Sequence, residues 1–212
     1  MEKPYGLLVA GMNFASVDEG EFNAWYDTEH VPERLRVDGF INAQRWLGVE
    51  DARDSIVTYD LKSKDVLKGA AYTAIAGANL SPWSKHVTGQ VRRICRVEGE
   101  QTLPGRQAAP DNAGGLLMNA MNVAPEAEAE FNAWYNEEHI PGLLQVKGCI
   151  AARRFVATES VLKYVALYHL TAPEVQVSAA WKQAVDTPWT KKMRPFFRDG
   201  LRVVLRPYVK KS

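Results

Sequence analysis

Only two cysteines, Cys95 and Cys149, occur in the 212 residues. They form neither a disulfide framework nor a zinc-ligand spacing, so a reducing, cytoplasmic setting is expected. No apolar run is long enough to span a bilayer. The N-terminal Met-Glu-Lys-Pro-Tyr lacks the basic-then-apolar order of a secretory signal, and the expectation is a soluble protein with no membrane partner. Charge of neither sign dominates: 26 basic residues are scattered among 25 acidic ones. A nucleic-acid binder would show a basic stripe, so that class is set aside. There is no His-x-x-x-His, Cys-x-x-Cys or carboxylate loop of metal-site spacing, and no glycine-rich phosphate loop or Gly-x-Ser-x-Gly elbow. The expectation is therefore no metal and no cofactor.

What is present is an ordinary globular composition, 46% apolar and 24% charged, written twice. Residues 21–46 and 130–155 share Glu-Phe-Asn-Ala-Trp-Tyr, then Glu-His-x-Pro, then Val-x-Gly, at an offset of 109. The same offset places Leu7 and Leu8 on Leu116 and Leu117, Asn13 on Asn122, and Tyr59 on Tyr168. Residues 99–114, rich in Gly, Pro, Gln and Ala, read as the connecting loop. The boundary falls near 100–112, dividing the chain into a first half over 1–105 and a second over 112–212.

Each half reads as strand, helix, strand, strand, helix, strand. In the first half these are residues 6–14, 19–31, 40–49, 55–61, 65–76 and 87–97. In the second they are 115–123, 127–140, 149–157, 162–170, 175–185 and 201–209. Ser16 or Asp18 is the expected N-cap of the first helix. The order is the split βαβ, ferredoxin-like α+β arrangement. One such unit covers only one face of its sheet, so the two halves are expected to pair as a single α/β barrel with helices outside and an enclosed space between the sheets, beneath the helix ends.

The run Trp-Tyr-x-x-Glu-His-[Val/Ile]-Pro followed by Leu-x-Val-x-Gly resembles the first-helix signature of the dimeric α/β-barrel superfamily, and within it the EthD-like proteins. There the two units usually come from two chains, so this chain resembles a fused version. The resemblance implies catabolism of small organic compounds. The wider superfamily holds cofactor-free monooxygenases, cyclases, isomerases, lyases and haem peroxidases, and a shared fold transmits no one reaction.

The repeated motif supplies the candidate site residues. Helical spacing brings Tyr26 next to His30 and Trp25 next to Glu29. Pro32 is expected to end the helix, placing His30 in a last turn whose dipole favours imidazolium. His30 and His139 are then general acid/base groups, with Tyr26 and Tyr135 as relay partners, or they cap the last carbonyls. Glu29 and Glu138, set among aromatics, are either bases or salt-bridge partners of Arg45 and Arg154. Those arginines, alternating with small apolar residues on their strands, either pair so or steady an oxyanion inside the barrel. Asn13 and Asn122 offer amides to an oxyanion or make turn bonds. The tryptophans and Tyr59 and Tyr168 read as core, and the Pro-Trp pairs at 82–83 and 188–189 as anchors after the second helix. His86, and His169 in place of Asp60, mark differences between halves, with surface positions the simpler expectation.

The leading reading is a cofactor-independent lyase or isomerase acting on a small apolar carbonyl or hydroxyl compound. The alternatives are a non-catalytic binding protein for an apolar metabolite and a haem-dependent oxidoreductase of this fold. Further self-association of the barrels is left open.

Overall fold

The computed structural model describes residues 2–210. Eight strands form one closed antiparallel barrel: β1 (Gly6–Asn13), β2 (Gln44–Gly48), β3 (Asp54–Leu61), β4 (Arg92–Leu103), β5 (Gly115–Val123), β6 (Cys149–Ala157), β7 (Tyr164–Leu170) and β8 (Phe197–Pro207). The order around the barrel is β1-β3-β2-β8-β5-β7-β6-β4. Each half thus contributes four consecutive strands. The halves meet at two seams, β2 on β8, with Gly48 opposite Leu205, and β4 on β6, with Gly99 opposite Ala157. A closed sheet has no edge to protect, which is how the duplication solves the uncovered face of a single unit.

Strands β3 and β7 are buried along almost their whole length, because one face looks into the barrel and the other is covered by helices. Leu7, Val9, Ile56, Leu116, Met118, Phe155 and Leu167 fill the barrel interior. The alternate residues, Leu8, Val57 and Tyr59 in one half and Leu117, Ala166 and Tyr168 in the other, pack outward against helices.

The first helix of each half overturns an expectation. In the first half α1 (Glu19–Trp25) passes through a π-helical turn, Tyr26–His30, into α2 (Val31–Leu35). Asp18 caps it as expected, accepting from the Glu21 N–H at 2.9 Å. The Val31 N–H reaches back five residues to the Tyr26 carbonyl. Pro32 has no N–H to give and its ring would crowd the preceding turn of an α-helix; widening that turn to a π-bulge accommodates it. His30 therefore lies in mid-helix, away from any C-terminal dipole.

The second helix is also different. Residues 65–76 are broken into a 3₁₀ turn and α3 (Ala70–Thr73), and the longer helix is α4 (Pro82–Gln90), which Pro82 and Trp83 open rather than follow. Ser81 caps it, accepting from the Ser84 N–H at 2.9 Å. Val87 belongs to this helix, so β4 starts later than expected and runs on to Leu103, through residues expected to be linker.

The second half repeats the plan with α5 (Glu128–Trp134), a π-turn at Tyr135–His139, α6 (Ile140–Leu144), α7 (Ala179–Ala184) and α8 (Pro188–Met193). Trp134 follows Trp25 by 109 residues but Trp189 follows Trp83 by only 106. The first half thus has three more residues between Tyr72 and Trp83 than the second has between Trp181 and Trp189.

Candidate active site

The extra residues of the first half wall a cavity of about 280 Å³ between the helices and the outer face of the sheet. Leu8, Ala10 and Met12 from β1 and Tyr59 from β3 form its floor; His30 and Arg34 come from the first helix, and Tyr72, Ala76, Gly77 and Leu80 from α3 and the loop after it. Arg93 and Arg96 of β4 stand at its exposed rim. Gly77 has a φ of +59°, the left-handed region a side chain resists, and it lets this loop turn beside the opening. The middle of the space between the sheets is packed with side chains, and a more open groove of about 740 Å³ lies against one end of that packing, along Ile94, Cys95, Val97, Leu162 and Leu201.

His30 is 7% exposed. Its ring lies 4.3 Å from that of Trp25 and edge-on to Tyr26 at 5.2 Å. Its Nδ1 has no hydrogen-bond partner among the described residues. Burial, and then the positive charge of Arg34, hold its pKa well below the ordinary histidine value. This imidazole is neutral at physiological pH, the opposite of what a helix C-terminus would have favoured. Tyr59, on the floor of the same cavity, also has a buried hydroxyl with no hydrogen-bond partner among the described residues, and burial pushes its pKa well up. An unsatisfied buried polar group costs about 1–3 kcal/mol; the equivalent pair, His139 Nδ1 and the Tyr168 hydroxyl, is unpartnered too, so what sets the first half apart is the open space beside the pair.

The other expected site residues are elsewhere. Tyr26 does contact His30, but its hydroxyl faces the Met12 sulfur at 3.9 Å and its pKa is pushed up to about 12 by burial, so no direct O–H to imidazole relay exists. Glu29 does not pair with Arg45. It accepts hydrogen bonds from Ser81 at 2.6 Å and Ser84 at 3.0 Å, and Ser84 accepts from the Trp25 indole at 2.9 Å. Glu138 likewise accepts from Thr187 at 2.5 Å, and Trp134 donates to Thr190 at 3.1 Å. In both halves this glutamate ties the first helix to the cap of the later one, an architectural task. Arg45 faces the helices rather than the barrel interior, bonding Asp27 and Asn23 at 2.8 Å each and lying 3.8 Å over the Tyr208 ring. Arg154 does the same with Asn136 and Asn132. Asn13 makes the turn bond, accepting from the Ala15 N–H, and Asn122 accepts from the Lys163 N–H.

The second half keeps the histidine but closes the space. His139 is 8% exposed, with an unpartnered Nδ1 and a pKa pushed down to about 3 by burial. Where the first half has Arg34, Tyr72 and Val91, the second has Leu143, Trp181 and Phe197. Trp181 packs edge-on against Tyr168 at 5.5 Å, and Phe197 lies 5.7 Å from Trp134. Leu143, Trp181 and Met193 join the buried cluster around His139.

Residues that sequence reasoning passed over include a charged group inside the barrel. Arg153, fully buried, donates to Asp60 at 2.6 Å and to His169 Nε2 at 3.2 Å, while the Gln107 carbonyl and the Ala109 N–H of the connecting segment complete the cluster. His169 and Asp60 are thus interior partners, not surface substitutions. Strict alternation along Arg153-Arg154 was the available signal: one must point in if the other points out. His86 is exposed, as expected.

A haem does not fit beside His30. The cavity is at the small end of ordinary ligand sites, about 300–1,000 Å³, and a four-pyrrole macrocycle would displace Arg34 and Tyr72. Among the described residues no cluster of His, Cys, Asp and Glu is arranged to hold a metal ion, and no helix is long and apolar enough to cross a membrane.

No family model and no curated protein matches the sequence. Solved structures do match the fold. A proposed monooxygenase from Fusobacterium nucleatum subsp. nucleatum superposes with a TM-score of 0.66 at 11% identity, over 98% of this chain and 94% of that one. An anthrone oxidase-like protein gives 0.64 at 12%, over 98% and 93%. A variant chlorite dismutase from Candidatus Nitrospira defluvii gives 0.62 at 11%, over 98% and 93%. The chain therefore has the ferredoxin-like dimeric α/β-barrel fold, both units lying in one polypeptide. The EthD-like likeness rests on the helix motif alone.

Proposed function

We propose that this protein is an enzyme that moves a proton on a small organic molecule bound in the first-half cavity, without a cofactor, as a lyase or isomerase. The observation that carries the reading is His30, a buried neutral imidazole bordering a cavity whose other polar groups are hydroxyls and guanidinium groups. Neutral imidazole is the form a general base needs, and because burial and the nearby arginines lower its basicity, the negative charge of the bound substrate must raise it again for the transfer to run. In the proposed step a substrate C–H breaks, the proton passes to His30, and the electron pair remains as an enolate. The Tyr59 hydroxyl would donate to that developing charge, and Arg34, held by the His30 and Ile75 carbonyls and by Glu33, adds its positive charge from behind. His30 then returns the proton to another carbon in an isomerisation, or to the leaving group in a lyase reaction. Tyr26, Glu29 and Arg45 act at one remove, fixing the helix that carries His30. The neighbours named as a monooxygenase and a dismutase support an enzyme and favour no single reaction.

The reading is tested by solvent deuterium exchange. Aryl ketones and aryl keto acids with enolisable protons are incubated with the protein in D₂O and followed by proton NMR. Exchange above buffer is expected, falling by about a hundredfold or more in His30→Ala, the scale of a lost general base. Exchange that survives His30→Ala, or its absence across the set, leaves a binding protein as the better account.

A further inference from the structure

We infer that the molecule bound in this cavity carries a carboxylate or a comparable oxyanion, held at the rim by Arg93 and Arg96 with Arg34 behind them. The identity of that anion as substrate rests on the proton-transfer reading; the anion site itself does not.

The lining of the cavity contains three guanidinium groups and no carboxylate. Glu33 and Glu98 pair with Arg34 and Arg96, but neither lies on the lining. Among the described residues Arg93 has no ion-pair partner, although Glu159 and Asp199 stand with it around the adjoining groove. Arg96 is fixed in place by a bond to the Tyr72 hydroxyl at 3.2 Å, and so presents its remaining donors from a settled position. A planar guanidinium fork matches a carboxylate in two parallel hydrogen bonds.

The comparison within the chain points the same way. In the second half Arg34 is replaced by Leu143 and Arg93 by Asp199, and Arg202, the counterpart of Arg96, is bonded to Gln176. The copy with an open cavity has the basic wall, and the copy whose aromatics fill the space has lost it. The floor of Leu8, Ala10, Met12 and Tyr59 suits a flat apolar body. A compact aromatic or branched carboxylate therefore fits better than the neutral apolar compound expected from sequence.

Benzoate and its neutral isostere benzamide are the probes, measured by titration calorimetry on the full chain, with ¹⁵N NMR of the His30 ring to place them. Benzoate is expected to bind at least tenfold more tightly than benzamide. The exposed rim changes Arg93→Gln and Arg96→Gln together are expected to weaken benzoate about tenfold and leave benzamide unchanged. Equal affinities for the two probes, or equal losses in the double variant, overturn the anion site. The two proposals fail separately. Charge-selective binding without deuterium exchange keeps the anion site and ends the proton-transfer reading, whereas exchange confined to neutral ketones does the reverse.

Discussion

The two halves of this chain share a motif almost residue for residue, yet one encloses a cavity and the other a solid core. His30 and His139 occupy the same π-turn, against the same tryptophan and tyrosine. Only His30 faces space, because Tyr72, Val91 and three additional loop residues stand where Trp181, Phe197 and a shorter turn close the second half. A shared motif thus marks what both halves need for folding. The π-turn, the glutamate on its hydroxyl partners and the indole bond hold two helices together twice over. Function is to be sought where the copies differ.

The largest expected contrast is in chemistry. His30→Ala should lower proton exchange by about a hundredfold to ten-thousandfold, and His139→Ala should leave it within about twofold, both read by NMR. Copying the closed half into the open one, with Tyr72→Trp and Val91→Phe, should abolish benzoate binding without lowering the melting temperature. If the filled variant still binds, the cavity is misassigned.

Stability should show the reverse contrast. Trp181→Ala empties a packed site and should cost about 3–5 kcal/mol in denaturant unfolding, and Tyr72→Ala, beside existing space, should cost less. Equal losses would show that the first half is as tightly packed as the second.

Acid is expected to act on both halves. His139 and His169 have pKa values pushed down to about 3, and that of His30 is also well lowered. The unfolded chain takes up these protons near pH 6.5. Below that pH it binds more protons than the folded state, so stability present above 6.5 is lost as the pH falls towards 3. His139 and His169 should each cost about 2 kcal/mol at pH 5, and His30 should act in the same direction. Melting curves from pH 7 to 4 should fall, and fall less steeply in His139→Gln. A slope unchanged by that substitution would mean that His139 is protonated when folded. Because His30 is already neutral, ligand binding in the free protein should show little histidine-linked change between pH 5 and 8.

The smallest effect concerns the arginine tethers. Asp27 on Arg45 is Asn136 on Arg154 in the other half, so Asp27→Asn imitates a pairing the fold already uses and should cost about 1 kcal/mol, the scale of one hydrogen bond exchanged for another. A much larger loss would make the half-buried Arg45 depend on its full counter-charge.

The barrel was legible from the repeat, since one split βαβ unit leaves a sheet face that only a second unit can cover. The strands β5 and β6 fall on the residues expected. Pro32 misled because proline ordinarily stops a helix and nothing in the sequence distinguishes a stop from a π-bulge. Comparison of the copies draws the eye to identity, and so to Glu29 and Arg45, whose bonds run to neighbouring helices. Tyr59 and Arg34 were hidden for the opposite reasons: the first looked like core in both halves, and the second has no counterpart in the motif. Arg153, Asp60 and His169 meet only when the sheet closes, across 93 residues of chain in one pair, which no local pattern reports.

Of the two places beside the repeated histidines, only that of the first half is open for a ligand. Calorimetric titration with benzoate measures this directly. One benzoate site per chain is expected, with the ring signals of His30 and not His139 shifting on binding. Two equivalent sites, or a single site that perturbs His139, would contradict it.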